Sequence, residues 1–409
     1  MSTAKQSYRW VMLALIWLIY VGLGILVATL AVLVTPMVED LNLSYSQMGL
    51  ILGAFQLFFI GFSIVAGNLL DRWGIRKSLM AGVLIITLSA CLRYFANGFD
   101  TLFPIVALLG VGGPMIFAGG PKVISQWFEG KDRGTATGIY ATGMSVGQLL
   151  GLSLTNSIFM PLFHNSWRFT FLFYGIVVFV IGLLWWVFAR DYKQTTTTVA
   201  KMGVFKTMTH IIKIRNVQLV LIIGFLITAV FHGYFQWLPK ILQDGGMSQA
   251  TAGFAASVYV FAGIPATVFF SHFVPRLFRG RAIALASLVI ALALCGLIGT
   301  SGLLQYISLI VLGVAGAMFL PVTLLILMDS SGIPSEYLGS ANGVYICIAQ
   351  IGGFLAPSMM GALVDTTGGF TAGIFVLAGL NLVAIPIALI LRTMTPEPNI
   401  ADGQKVTVK

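Results

Sequence analysis

Residues 67–77 read GNLLDRWGIRK. One acid, three bases and two glycines are packed into this segment, and an apolar run lies on either side of it, near 47–70 and 78–97. Each run is long enough to cross a hydrocarbon core of about 30 Å at about 1.5 Å per helical residue. Charge confined to so short a segment between two such runs is what a loop at a membrane face requires, because an ion within the hydrocarbon is costly.

The same alternation continues to both ends of the chain. Of 409 residues, 58% are hydrophobic and 9% charged, which excludes an ordinary soluble domain. The pattern predicts twelve spans, near 10–36, 47–70, 78–97, 102–128, 134–161, 168–190, 216–239, 249–274, 281–300, 303–328, 340–364 and 370–392. Barrel strands would be shorter and alternating, so the expected class is all-α integral membrane, with twelve transmembrane helices. No small-residue cleavage site follows the first apolar run, and no removable signal is expected.

The net charge of +10 could suggest nucleic acid, but its placement follows membrane topology. Nineteen Lys and Arg fall in the termini and the loops on their side, against only Arg168 and Lys240 in the opposite loops. The positive-inside rule then places both termini in the cytoplasm, in a multi-pass protein of the cell inner membrane. Cys91, Cys295 and Cys347 stand alone in apolar segments, so neither a disulfide nor a metal site is expected, and no cofactor. The chain is read as a monomer in contact with membrane lipids.

The two halves resemble one another. Aligning SQMGLILGAFQLFF with ATAGFAASVYVFAG places Gly49 on Gly253 and Arg72 on Arg276, and aligning GTATGIYATGMSVG with GSANGVYICIAQIG places Tyr140 on Tyr345. Span 2 thus corresponds to span 8 and span 5 to span 11, the signature of a six-plus-six carrier. The expected organisation is a six-helix bundle over 1–190, a cytoplasmic linker over 191–215, a second bundle over 216–393 and a cytoplasmic tail over 394–409. Within the linker, VFKTMTHIIKI has the spacing of a helix lying on the membrane surface, or is a solvated basic connection.

In this setting GNLLDRWGIRK closely resembles the signature of the major facilitator superfamily, G-x-x-x-D-R/K-x-G-x-R/K-R/K, at the loop where that family carries it. The resemblance covers nearly the whole chain. It implies two pseudo-symmetric six-helix bundles and a conformational latch made of Gly67, Asp71, Arg72, Gly74, Arg76 and Lys77 that favours the outward-facing state. Gly67 suits close helix approach and Gly74 a tight turn, while Asp71 suits the N-terminus of a neighbouring helix or an arginine. The second-half counterpart, SHFVPRLFRGR, has Pro275 in place of Asp71 and Phe278 in place of Gly74, so its latch is expected to be weak or absent. GGPKVISQWFEGKDRGTATGIY also looks like the bacterial cyanate/nitroimidazole transporter group, and less closely like oxalate/formate and monocarboxylate carriers.

All thirteen acidic residues fall in loops, at span ends or in the tail, which leaves no evident carboxylate proton relay at mid-membrane depth. Lys122, inside span 4 after Gly119, Gly120 and Pro121, is either a cation on the cavity wall or a side chain that snorkels to the headgroups. Arg93 and His272, near span ends, read as interfacial. His232, with Gln236 one turn later, is either a ligand or a satisfied structural histidine. Tyr20, Tyr140, Gln148, Tyr345 and Gln350 complete the candidate substrate-binding set. Hydroxyls and amides around one cation suit a small anion.

The leading expectation is a secondary active transporter moving a small anionic organic or inorganic solute by alternating access, as a proton symporter or an anion exchanger. Alternatives are efflux of amphipathic compounds and uptake of a quaternary amine in a cage of Trp17, Tyr20, Tyr234 and Trp237. Val106 in place of the span-4 arginine of the family's drug antiporters, and the missing Gly-Pro pair in span 5, weigh against efflux. No catalytic cluster or sizeable soluble domain suggests an enzyme or a receptor.

Overall fold

The computed structural model describes residues 3–191, 212–329 and 338–391. Most of the linker's amphipathic stretch and the whole tail lie outside the described residues. Among the described residues there are twelve long helices: α1 (Thr3–Val32), α2 (Tyr45–Trp73), α3 (Ile75–Leu92), α4 (Phe99–Trp127), α5 (Gly130–Leu154), α6 (Trp167–Phe188), α7 (Arg215–Phe235), α8 (Gln249–Phe273), α9 (Arg279–Gly299), α10 (Leu303–Ala317, resumed as Phe319–Met328), α11 (Leu338–Thr367) and α12 (Thr371–Ile390).

Eleven of these regions are long and apolar enough to cross a membrane. The exception is α5, whose Gly, Ser and Thr residues lower its apolarity because they serve helix contact instead of lipid. A Cβ at Gly143, Gly147 or Gly151 would stand within about 3 Å of α1 atoms. Breaks fall where proline removes a backbone donor and crowds the carbonyl four residues earlier. Pro36 separates a short helix, Val34–Leu41, from α1, and Pro321 follows the interruption of α10 at Met318.

The packing repeats in the two halves. In the first, α1 lies on α5 and α6, and α4 on α2 and α3; in the second, α7 lies on α11 and α12, and α10 on α8 and α9. The halves meet mainly through α2 against α11 and α5 against α8, and those two pairs are repeat mates of each other.

Both contacts are tightest toward one end of the molecule. A Cβ at Gly49 or Gly53 would strike the α11 backbone at Pro357 or Phe354, one at Gly361 would strike Tyr45, and one at Gly253 would strike Leu152. At 100° per residue, Gly67 shares a helix face with Gly49, and Gly343 with Gly361. Yet a Cβ at Gly67 or Gly343 meets nothing within 4 Å, and the same holds for Gly134 and Gly138 of α5. The helices therefore splay from the far end, where they touch, toward the end that carries the 71–77 loop, called here the basic end. The close approach expected at Gly67 is absent for this reason.

At the far end, α2 begins at Ser44, whose side chain caps the helix by accepting from Gln47 N–H. Asp365 of α11 adds a carboxylate from the other half, accepting from the backbone of Tyr45 at 2.9 Å and Ser46 at 2.7 Å and from the Ser46 hydroxyl at 2.5 Å. A negative charge at a helix N-terminus satisfies orphan donors and opposes the helix dipole. Asp365→Ala should weaken this closure by about 1 kcal/mol, or roughly fivefold in the equilibrium. The check is the labelling rate of a cysteine introduced at Phe354, with the native cysteines removed; an increase of that order is expected, and an unchanged rate contradicts it.

Candidate functional site

The basic end carries the loop that opened the sequence reading. Gly74, at φ 79°, joins α2 to α3 in a conformation that penalises any side chain. Beyond it, the Arg76 backbone N–H donates to Asp191 at 3.0 Å, while the Arg76 guanidinium donates to the Trp186 carbonyl and stacks 4.8 Å from that ring. The loop is thereby fastened to the end of α6. Arg72 and Lys77 are exposed.

Asp71 and Lys122 meet here. The Lys122 ammonium donates to Asp71 at 2.9 Å and to the Leu70 carbonyl at 3.1 Å, with 32% of its side chain exposed. The acid partner missing from its own span is the latch aspartate, brought over by α2. The second half holds the same device with the charges exchanged. Arg276, in the loop between α8 and α9, and Arg279, the first residue of α9, pair with Asp329 at the end of α10. The weak second-half latch expected from Pro275 and Phe278 is thus replaced by an ion pair whose acid comes from the other side of the contact.

The α4 segment around Gly119–Pro121 remains helical through Trp127. Pro121 frees the Phe117 carbonyl, and the buried Tyr20 hydroxyl lies 3.3 Å from it and from the Ile116 carbonyl. Tyr20 also meets the Tyr140 ring edge-on at 5.3 Å, and Gly120 makes room for both. Tyr20 and Tyr140 therefore come together, whereas Lys122, two residues past Gly120, turns to α2. Tyr345 is buried against Gly224, and Gln148, half-buried, has its backbone N–H beside Gly24.

A second group lies deeper, where the halves touch. His232 Nδ1 is 3.0 Å from Gln56 Nε2, and Gln236 Nε2 donates to the Leu52 carbonyl at 3.2 Å. Gln350 and His232 both border Gly353. His232, Gln236 and Gln350 are thus gathered near the α2/α11 crossing, apart from Lys122. The sequence reading missed Gln56. The signal was there, since Gln56 shares the Gly49–Gly53 face and is the one amide in an otherwise apolar stretch.

Arg93, expected at the interface, is wholly buried; its guanidinium lies 4.3 Å from the centre of the Phe171 ring and donates to Ser89 at 3.4 Å. Aromatic burial has replaced snorkelling there. The side chain of His272 is outside the described residues. The four aromatics of the amine cage pack in separate groups: Trp17 donates to Thr142, Tyr20 meets Phe117 and Tyr140, Tyr234 meets Phe231 and Tyr259, and Trp237 meets Tyr45 and Phe370.

The sequence profile described as Major Facilitator Superfamily matches residues 16–357 and 246–408. The chain belongs to the major facilitator superfamily. A hexuronate transporter of Bacillus subtilis (strain 168) is 25% identical over 376 residues, covering 86% of this chain and 87% of that protein. A putative tartrate transporter of Agrobacterium vitis is 25% identical over 385 residues, covering 88% and 84%. Among solved structures, a D-xylose-proton symporter matches with a TM-score of 0.76 at 16% identity, over 94% of this chain and 98% of that one. An inward-open xylose transporter from E. coli matches at 0.74 and 14% identity, over 94% and 96%. These structures establish a shared superfamily fold.

In this superfamily member, Asp71→Asn and Lys122→Gln should each slow transport, and the double variant should be no slower than the worse single one. Their coupling in stability should stay under about 1 kcal/mol, because both side chains reach solvent. A double-mutant cycle on uptake rates and denaturation midpoints measures both; losses that simply add would contradict the pairing.

Proposed function

We propose that this member of the superfamily is a secondary transporter for a small organic anion, a carboxylate of the sugar-acid or hydroxy-acid class. The observation that carries the reading is the make-up of the polar groups: the Lys122 ammonium at the basic end of the first half, and the imidazole and amides of His232, Gln56, Gln236 and Gln350 where the halves touch. Each acid among the described residues lies at a helix end or in a loop. Such a set offers donors to an oxyanion and no fixed negative charge to a cation. The names of the hexuronate and tartrate relatives point to the same chemistry.

The excess of Lys and Arg in the loops at the basic end supports an orientation with that end and both termini in the cytoplasm of an inner-membrane protein. The splayed conformation is then inward-facing, with Asp365 on α2 closing the outer end. Rocking of the 1–190 half against the 216–393 half exposes the polar groups alternately. In the empty inward-facing state Lys122 takes its counter-charge from Asp71, and an arriving carboxylate competes for it. The latch loop (Gly67, Asp71, Arg72, Gly74, Arg76, Lys77) closes this end in the opposite state. Tyr20 and Tyr140 form the wall beside Gly120, Tyr345 holds in the second half the place that Tyr140 holds in the first, and Gln148 lies further along α5 beside Gly24.

Each negative charge that enters against a negative-inside potential costs about 2.3 kcal/mol per 100 mV, so uptake needs a symported proton or an exchanged anion. A monomer suffices, since both halves of the pathway lie in one chain. The test is a thermal-shift panel on the purified protein with hexuronates, aldarates and tartrate against xylose and betaine. A bound carboxylate at about 100 times its Kd should add about 2.7 kcal/mol of apparent stability, and Lys122→Gln should weaken that binding about tenfold. A shift with xylose or betaine and none with any acid would contradict the reading.

A further inference from the structure

Gln56 is 0% exposed, and its Oε1 is buried without a hydrogen-bond partner. It lies on the α2 face that Gly49 and Gly53 press against α11. An apolar residue would fill that place without leaving an idle acceptor in a low-dielectric contact, where an unpaired polar atom is unfavourable. What Gln56 does have is His232, whose Nδ1 is 3.0 Å from its amide nitrogen.

An amide NH2 has only hydrogens to offer, so the Nδ1 facing it must be the unprotonated, accepting nitrogen. A neutral imidazole then carries its proton on Nε2. That nitrogen is not among the buried atoms lacking partners, and no protein group bonds it among the described residues, so it is open. Phe231, Gln56, Gln350 and Gly353 border the ring, and none of them is charged.

We infer that Gln56 is a positioning residue that sets which nitrogen of His232 carries the proton, holding Nε2–H free as a donor for a substrate oxygen. Its use toward a carboxylate rests on the anion-carrier reading above; the proton placement does not. A second consequence follows from topology. Gln56 belongs to the first half and His232 to the second, and Gln236 ties the same two helices one turn away through Leu52. The proton is therefore fixed on Nε2 only while α2 and α7 touch. When the halves part there, Nδ1 is released and the ring is free to change tautomer or to take a second proton. The idle Oε1 fits this: turned toward the ring, it accepts from a protonated Nδ1.

The experiment is nitrogen-15 NMR of histidine-labelled protein, with the His232 signals assigned by their loss in His232→Gln. Wild type should show an Nε2–H tautomer, Gln56→Leu a mixture, and Gln56→Glu a proton on Nδ1, held by the carboxylate. In proteoliposomes, Gln56→Glu should raise the KM for a carboxylate at least tenfold and change the pH profile of uptake. Gln56→Asn, which keeps the amide on a shorter arm, should restore part of both if the protein keeps its melting temperature. An unaltered His232 tautomer in both Gln56→Leu and Gln56→Glu overturns the inference. Tautomer changes as described in a protein that binds no carboxylate would overturn the anion-carrier reading and support the proton placement.

Discussion

The crossing of α2 and α11 holds the two halves of this protein in register. Glycines at 49, 53 and 361 let the two backbones touch, and Asp365 reaches across to the first turn of α2. Such a carboxylate, exposed at the helix end, accepts from first-turn donors that have no partner within their own helix and opposes the helix dipole. Because the contact is tightest at the far end and lost at Gly67 and Gly343, the rest of the architecture follows: the helices splay at the basic end, and Asp71 lies on Lys122 of its own half.

The same physics recurs wherever charge is found. Asp191 takes the Arg76 backbone N–H at the start of α3, Asp40 accepts from Trp167 and Arg168 at the start of α6, and Asp329 takes Arg276 and Arg279 at the start of α9. Few acids are present, and these three sit where a helix end or a cation needs one. The ion pairs at the basic end, Asp71 with Lys122 and Asp329 with Arg276 and Arg279, keep the repeat in position while exchanging sign. Internal symmetry therefore preserves the place of a pair but not which helix supplies the acid.

Much of the fold was legible in the sequence because the hydrocarbon demands long apolar runs and confines charge to their ends. The repeat offset and the 67–77 motif then led to the superfamily. The misses have physical reasons. The partner of Lys122 lies 51 residues back in the chain and is brought near by the packing of α2 on α4, which no local pattern encodes. Arg93 near a span end has two solutions, water or an aromatic face, and only the position of Phe171 decides between them. Gln56 went unnoticed because an amide in an apolar helix looks like tolerance until its partner on α7 is seen. Within the candidate site, the individual residues were readable, but their division into a Tyr20–Tyr140 wall, a Lys122–Asp71 pair and a His232–Gln56 group was not.

The proposed role, a carrier of a small organic anion that alternates by rocking its halves, is tested most directly by counterflow. Proteoliposomes loaded with an unlabelled hexuronate should transiently accumulate the labelled acid, with no imposed gradient. The same vesicles should do nothing with labelled xylose. Accumulation of xylose, or of a quaternary amine, with no movement of hexuronate, aldarate or tartrate would contradict the account.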